Sequence, residues 1–169
     1  MSNGASSQVK EAMAAFATNV DDGLALVTAG TEASGWNTMT IGWGSAGTLW
    51  SKPTVTVYVH PWRYTHDFLE REEYFTVQLF GPEHARDMGI LGSKSGRDGD
   101  KVSLTSLTPV VLEHGMTFAE AATTIVCKKW YTQAIDLASV PADVMERLGG
   151  RLYIDEAHTM VVGEIIDAL

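Results

Sequence analysis

Residues Trp36 to Pro53 read WNTMTIGWGSAGTLWSKP. Trp36, Trp43 and Trp50 stand there among Asn37, Thr38 and Thr40 and the small positions Gly42, Gly44, Ala46 and Gly47. The segment decides between two architectures. Gly42 to Gly47 match the spacing G-x-G-x-x-G, which in a dinucleotide-binding parallel fold follows a strand and opens a helix. Here the glycines lead through Lys52-Pro53 into Thr54–His60, where Val55, Val57 and Val59 alternate with Thr56, Tyr58 and His60. A period of two marks a strand with one buried face, and proline is tolerated at a strand's first residue. The parallel fold is therefore rejected. The glycines read as a turn, or as bare backbone that a ligand approaches, with an aromatic and methyl-lined wall beside it.

On the N-terminal side, Leu24–Ala29 reads as a strand, and the turn-rich Gly30 to Gly35 returns it to Trp36–Trp43 as a hairpin. Before it, Gln8–Asn19 places Val9, Met13, Phe16 and Val20 at helical spacing, with Ser6 or Ser7 as cap and Asp21-Asp22-Gly23 as stop. On the C-terminal side, Pro61 to Tyr64 breaks the strand pattern, and Thr65 is expected to cap a helix over His66–Glu73. Tyr74–Phe80 follows as a strand with Phe75, Val77 and Leu79 on one face. Gly81-Pro82 starts a helix that Gly92 stops after Ile90 or Leu91. Ser93 to Lys101 is the most polar, glycine-rich loop. Val110–Glu113 and Thr123–Ile135 read as strands, the second long enough to bend. Pro141–Leu148 reads as a helix, Gly149-Gly150 as a break and His158–Ile166 as a closing strand. Six or seven strands, separated mainly by turns, predict a mainly β fold: an antiparallel, closed or nearly closed barrel with short peripheral helices.

The 169 residues, 45% hydrophobic and 20% charged, suit one domain, residues 1–169, with residues 1–20 as a helical extension. A net charge of −9 argues against nucleic acid or an anionic membrane as partner. The single cysteine, Cys127, forms no internal disulfide and fits a reducing compartment. No apolar run has the ~20 residues of a membrane span, and the N-terminus has no signal-peptide pattern. A cytoplasmic protein is expected.

The five histidines, His60, His66, His84, His114 and His158, lack metal-ligand spacing, so no metal site is expected. No nucleophile elbow, P-loop or paired-carboxylate pattern is present, and Cys127, beside Val126 in a strand, reads as an inert buried thiol. Chemistry would then rest on a bound cofactor. Two segments favour an anion. Arg63-Tyr64-Thr65 precede a helix start, whose free N–H groups and dipole attract negative charge. Lys94, Ser95, Arg97 and Lys101 concentrate positive charge in an otherwise acidic chain, although Asp98 and Asp100 sit among them. A phosphate monoester held between the two segments is the expectation. Asn37, Thr38 and Thr40 can hydrogen-bond the edge of a ring stacked near Trp43.

Taken in order, Asn37-Thr38-Met39-Thr40-Ile41-Gly42-Trp43-Gly44 with Gly47 and Lys52-Pro53 is similar to the flavin reductase-like family, in its flavoredoxin-type branch. So are Arg63-Tyr64-Thr65, Ser95-Gly96-Arg97-Asp98 with Asp100-Lys101, Cys127-Lys128 with Tyr131-Thr132-Gln133, and the ending from His158 to Ile165. The likeness runs from about residue 20 to the C-terminus. The resemblance implies a homodimer of six-stranded split β-barrels, each binding FMN non-covalently near the subunit interface. It implies Asn37, Met39, Thr40, Ile41 and Trp43 along the flavin ring, and Arg63, Tyr64 and Thr65 near the phosphate. Lys101 corresponds to a flavin-contacting lysine, with Ser95 and Arg97 beside it. It further implies an oxidoreductase taking hydride from NAD(P)H to flavin or another small-molecule acceptor. The alternative is an electron-transfer protein reduced by a redox partner protein.

Overall fold

The computed structural model describes residues 5–148 and 157–169. The expected Gly149-Gly150 break lies outside the described residues. The chain opens with helix α1 (Ser7–Asp21), whose first N–H groups are capped by Ser6: its hydroxyl accepts from the Val9 N–H at 3.2 Å. Val9, Ala12, Phe16 and Val20 form its buried stripe. Strands β1 (Ala25–Thr31), β2 (Gly35–Ile41), β3 (Gly44–Leu49) and β4 (Lys52–Val59) follow, then α2 (Tyr64–Arg71) and β5 (Tyr74–Leu79). After a short 3-10 turn at Pro82–His84 come α3 (Ala85–Ser93), β6 (Pro109–Leu112), β7 (Gly115–Phe118), β8 (Thr123–Ala134), α4 (Ala142–Leu148) and β9 (Thr159–Ala168).

Seven strands form one antiparallel sheet in the order β2-β1-β5-β8-β9-β4-β3, and β6-β7 make a separate ribbon. The sheet curls enough for β2 to reach β4. Its bend is built into β8, which carries register shifts against β9 between Val126 and Cys127 and between Lys129 and Tyr131. Bulges of this kind sharpen local twist.

Two strands escape the sequence reading. The Gly42–Gly47 stretch is not a turn: from Gly44 onward it is β3, paired with β4 from Gly44↔Val57 to Leu49↔Lys52. Its glycines hide the period-two pattern. Gly44 is required by packing, since a Cβ there would lie 2.7 Å from Phe16 Cζ and 2.8 Å from the Thr56 carbonyl. Strand β7 was hidden because all four of its residues are buried, so nothing alternates. Gly92 does not stop α3; the helix runs on to Ser93.

The core has two parts. On one side of the sheet, Val27, Ile41, Val55, Val57, Phe75, Val77, Ile125 and Val161 pack around Phe16 of α1. On the other, Leu26, Phe80, Met88, Leu91, Leu107 and Phe118 join α3 to the ribbon. Burying each such side chain stabilises by about 1.5–3 kcal/mol. A polar seam lies on the same face of the sheet as this second core: Gln78 Nε2 donates to Thr76 Oγ1 (2.7 Å) and to the Met116 carbonyl (3.1 Å), and Thr28 Oγ1 lies 2.8 Å from Thr38 Oγ1. These bonds tie β7 to the sheet and satisfy side chains that are fully buried. Cys127 is buried in the first core, and burial alone pushes its thiol far above the ordinary value. That makes it inert, as expected. Among the described residues no helix is long and apolar enough to cross a membrane.

Candidate functional site

Helix α2 begins where the chain leaves β4. Arg63 is the N-cap residue, in an extended conformation, and no side chain caps the helix. Thr65, expected as the cap, lies inside the first turn, where its hydroxyl accepts from Asn37 Nδ2 at 2.7 Å. The helix thus starts with its first N–H groups available to a ligand.

That helix start faces a cavity of about 80 Å³, lined by Asn37 and Met39 of β2, Trp62 to Thr65, Leu91 of α3, and Ser93 to Gly96 with Lys101. A wider cleft of about 410 Å³ shares Asn37, Tyr64, Gly96 and Lys101 and extends over Trp36, Phe68 and Asp100. The two cationic groups are pre-placed by the end of α3. Arg63 Nη1 donates to the Gly92 carbonyl at 3.1 Å; Lys101 Nζ donates to the carbonyls of Leu91 (3.0 Å) and Lys94 (3.1 Å). An ammonium has three donors and a guanidinium five, so both retain N–H groups for a ligand. Lys101 is only 6% exposed. Burial, and secondarily the neighbouring Arg63 charge, lowers its pKa to about 8.

The loop over this cavity is fastened from outside. Arg97 donates to the Asp67 carboxylate (2.7 Å) and the Trp62 carbonyl (2.9 Å), with its guanidinium 4.8 Å from the Tyr64 ring centroid. Its charge is directed to α2 rather than into the cavity. Ser95 lines the cavity and also accepts from the Arg97 N–H at 3.2 Å. Gly96 lies against Asn37 and Tyr64 so tightly that an added Cβ would overlap the Asn37 Oδ1 atom.

Of the residues singled out in the sequence, Asn37, Met39, Arg63, Tyr64, Thr65, Ser95 and Lys101 therefore converge. Thr40 points elsewhere, donating to the Met88 carbonyl at 2.6 Å, and Ile41 is core. Trp43 is half exposed and lines a different cleft with Tyr58 and the end of α1. An aromatic row joins the two regions: Trp43 to His158 (4.8 Å between centroids), His158 to His60 (5.0 Å) and His60 to Trp62 (5.1 Å). Burial, then His60 and Arg63, holds the His158 imidazole below its ordinary value. Trp62, Leu91 and Gly96 were not foreseen as lining residues. Only Gly96 carried a signal, as a glycine inside the basic loop.

The family described as "Flavin reductase like domain" matches residues 13–169. No curated protein matches the chain. Among solved structures, flavoredoxin from Methanosarcina acetivorans is 21% identical with a TM-score of 0.65, over 86% of this chain and 66% of that one. The chain thus spans just under two thirds of that protein's length. An FMN-binding protein from Thermus thermophilus, solved with 1-cyclohex-2-enone, is 18% identical at a TM-score of 0.66, covering 86% and 68%. An NADH:FAD oxidoreductase of Streptomyces globisporus C-1027 is 19% identical at 0.63, covering 87% and 73%. At these identities the likeness is one of fold, the split barrel with peripheral helices. This chain's main sheet has seven strands rather than the six expected.

Proposed function

The chain belongs to the flavin reductase-like family, and from that membership we propose that it is an FMN-binding oxidoreductase, taking hydride from NAD(P)H and reducing flavin or another small acceptor. The observation that carries this reading is one cavity that gathers an uncapped helix start, Arg63 and the buried Lys101 beside the amide of Asn37. FMN has a dianionic phosphate, an apolar tricycle and a polar ring edge, and the residues present suit each part. Arg63, the α2 N–H groups, Ser95 and Lys101 would hold the phosphate; Asn37, Met39 and Tyr64 would line the ring and its chain. When bound, the flavin supplies hydride acceptance and onward electron transfer. The protein's share is charge, orientation and exclusion of water by the Ser93–Lys101 loop. A homodimer working in the cytoplasm completes the proposal.

Two measurements test it. Titration with FMN should give saturable quenching of flavin fluorescence, weakened roughly tenfold or more by Arg63→Ala or Lys101→Ala, as loss of a charge-assisted hydrogen bond implies. Oxidation of NADH or NADPH with added FMN should exceed the protein-free rate. Flavin binding without that turnover would leave an electron-transfer protein served by a redox partner, and no flavin binding would end both readings.

A further inference from the structure

The cleft that holds Trp43 is separate in its lining from the Asn37–Lys101 site and has a different chemistry. It measures about 360 Å³ and is lined by Ala17, Val20 and Asp21 at the end of α1, Gly42 to Gly44 at the entry to β3, and Tyr58 of β4. Gly42 forms bare floor: a Cβ built on it meets no atom within 4 Å. Trp43, 52% exposed, and the half-buried Tyr58 line the cleft beside that floor.

Its electrostatics are negative. Helix α1 has 15 residues, and its carboxyl end carries the partial negative charge of the helix dipole. No basic residue occupies its last turn; Asp21 and the C-cap Asp22 stand there instead. Among the described residues the side chains of Asp21 and Tyr58 make no hydrogen bond or ion pair. A phosphate or carboxylate would be repelled here, whereas Trp and Tyr faces attract cations through their ring quadrupoles. The free carboxylate adds a counter-charge.

We propose that the Trp43–Tyr58–Asp21 cleft is a second ligand site, and that it takes a flat organic cation, a quaternised heteroaromatic ring lying on Gly42. The site does not depend on the flavin reading, and its ligand is opposite in charge to a nucleotide phosphate. The row from Trp43 through His158 and His60 to Trp62 places this cation at the far end of an aromatic chain that begins at the first cavity.

The test is calorimetric titration of the full-length protein with 1-methylquinolinium, and with quinoline, which has nearly the same shape but no charge at pH 7.5. One-site binding of the cation is expected, at least fivefold tighter than quinoline. Trp43→Leu should weaken it by roughly 2- to 30-fold, the range of a cation–aromatic contact, and Trp43→Phe should recover part of that loss. Asp21→Asn should weaken the cation but not quinoline; this exposed position keeps the variant folded. FMN affinity should be unchanged in all three variants. Equal binding of both compounds would reduce the cleft to a greasy surface and overturn the proposal. So would unaltered cation binding in Trp43→Leu and Asp21→Asn, or no cation binding at all.

Discussion

Gly44 on β3 meets the ring of Phe16 on α1 at a distance no side chain can share: a Cβ at residue 44 would lie 2.7 Å from Phe16 Cζ. The contact seats the N-terminal helix on the barrel, and the end of that helix lines the Trp43 cleft. Gly44→Ala should destabilise the protein by about 1–3 kcal/mol, the range for overpacking a filled core. Trimming the ring with Phe16→Leu in the same chain should recover part of that loss, because the two positions share one contact. Urea denaturation of the single and double variants gives the comparison, and strict additivity would show that the helix is seated by other contacts.

Lys101 should make ligand binding depend on pH. Its folded pKa is about 8, against an ordinary value near 10.5. Anion affinity is therefore expected to fall as pH rises through 8, and Lys101→Met should flatten that profile. For stability the sign is opposite. Because the folded pKa lies below the unfolded one, the unfolded chain binds more protons between pH 8 and 10.5, so stability rises with pH across that window. Without ligand, the difference between wild type and Lys101→Met in urea midpoint should move in the wild type's favour from pH 8 to 10. A constant difference would place the amine in water.

Arg97 is bound to the Asp67 carboxylate and the Trp62 carbonyl, and from those contacts we expect it to fasten the loop rather than hold the phosphate. Its pair with Asp67 is partly exposed, so Arg97→Ala should cost no more than about 1 kcal/mol in stability. Its signature should instead be local. Hydrogen exchange across residues 94–100 is expected to quicken severalfold, while FMN affinity falls less than in Lys101→Ala. An equal or larger fall would return Arg97 to the binding site.

Gly96 closes the loop onto Asn37 and Tyr64. Gly96→Ala would drive its methyl group into Asn37 Oδ1, displacing either the amide from Thr65 or the loop from the cavity. Loss of about 1–3 kcal/mol and of flavin binding together is the expected outcome. Titration and thermal melting of one preparation measure both, and retention of flavin affinity would mean that the cavity tolerates an open loop.

Much of this protein was legible as sequence because the relevant forces are local. Alternation in Thr54–His60 fixed which face of β4 is buried, helical spacing from Val9 to Val20 fixed the inner side of α1, and a basic loop in an acidic chain pointed to the candidate cavity that Lys101 lines. Where those local signals fail, so did the reading: β3 is written in glycines that answer to Phe16, and β7 is buried throughout. The functional assignments divide along the same line. Arg63 and Lys101 are cationic residue types, and their types alone pointed to a phosphate. Whether a given side chain is spent on another part of the fold depends on partners far along the chain. Thr65 meets Asn37 across 28 positions and Arg97 meets Asp67 across 30. Those pairings, and the turn of β2 that sends Asn37 and Met39 into one cavity and leaves Trp43 in another, arise only when the strands close, because a hydrogen bond is satisfied by proximity and not by order in the sequence.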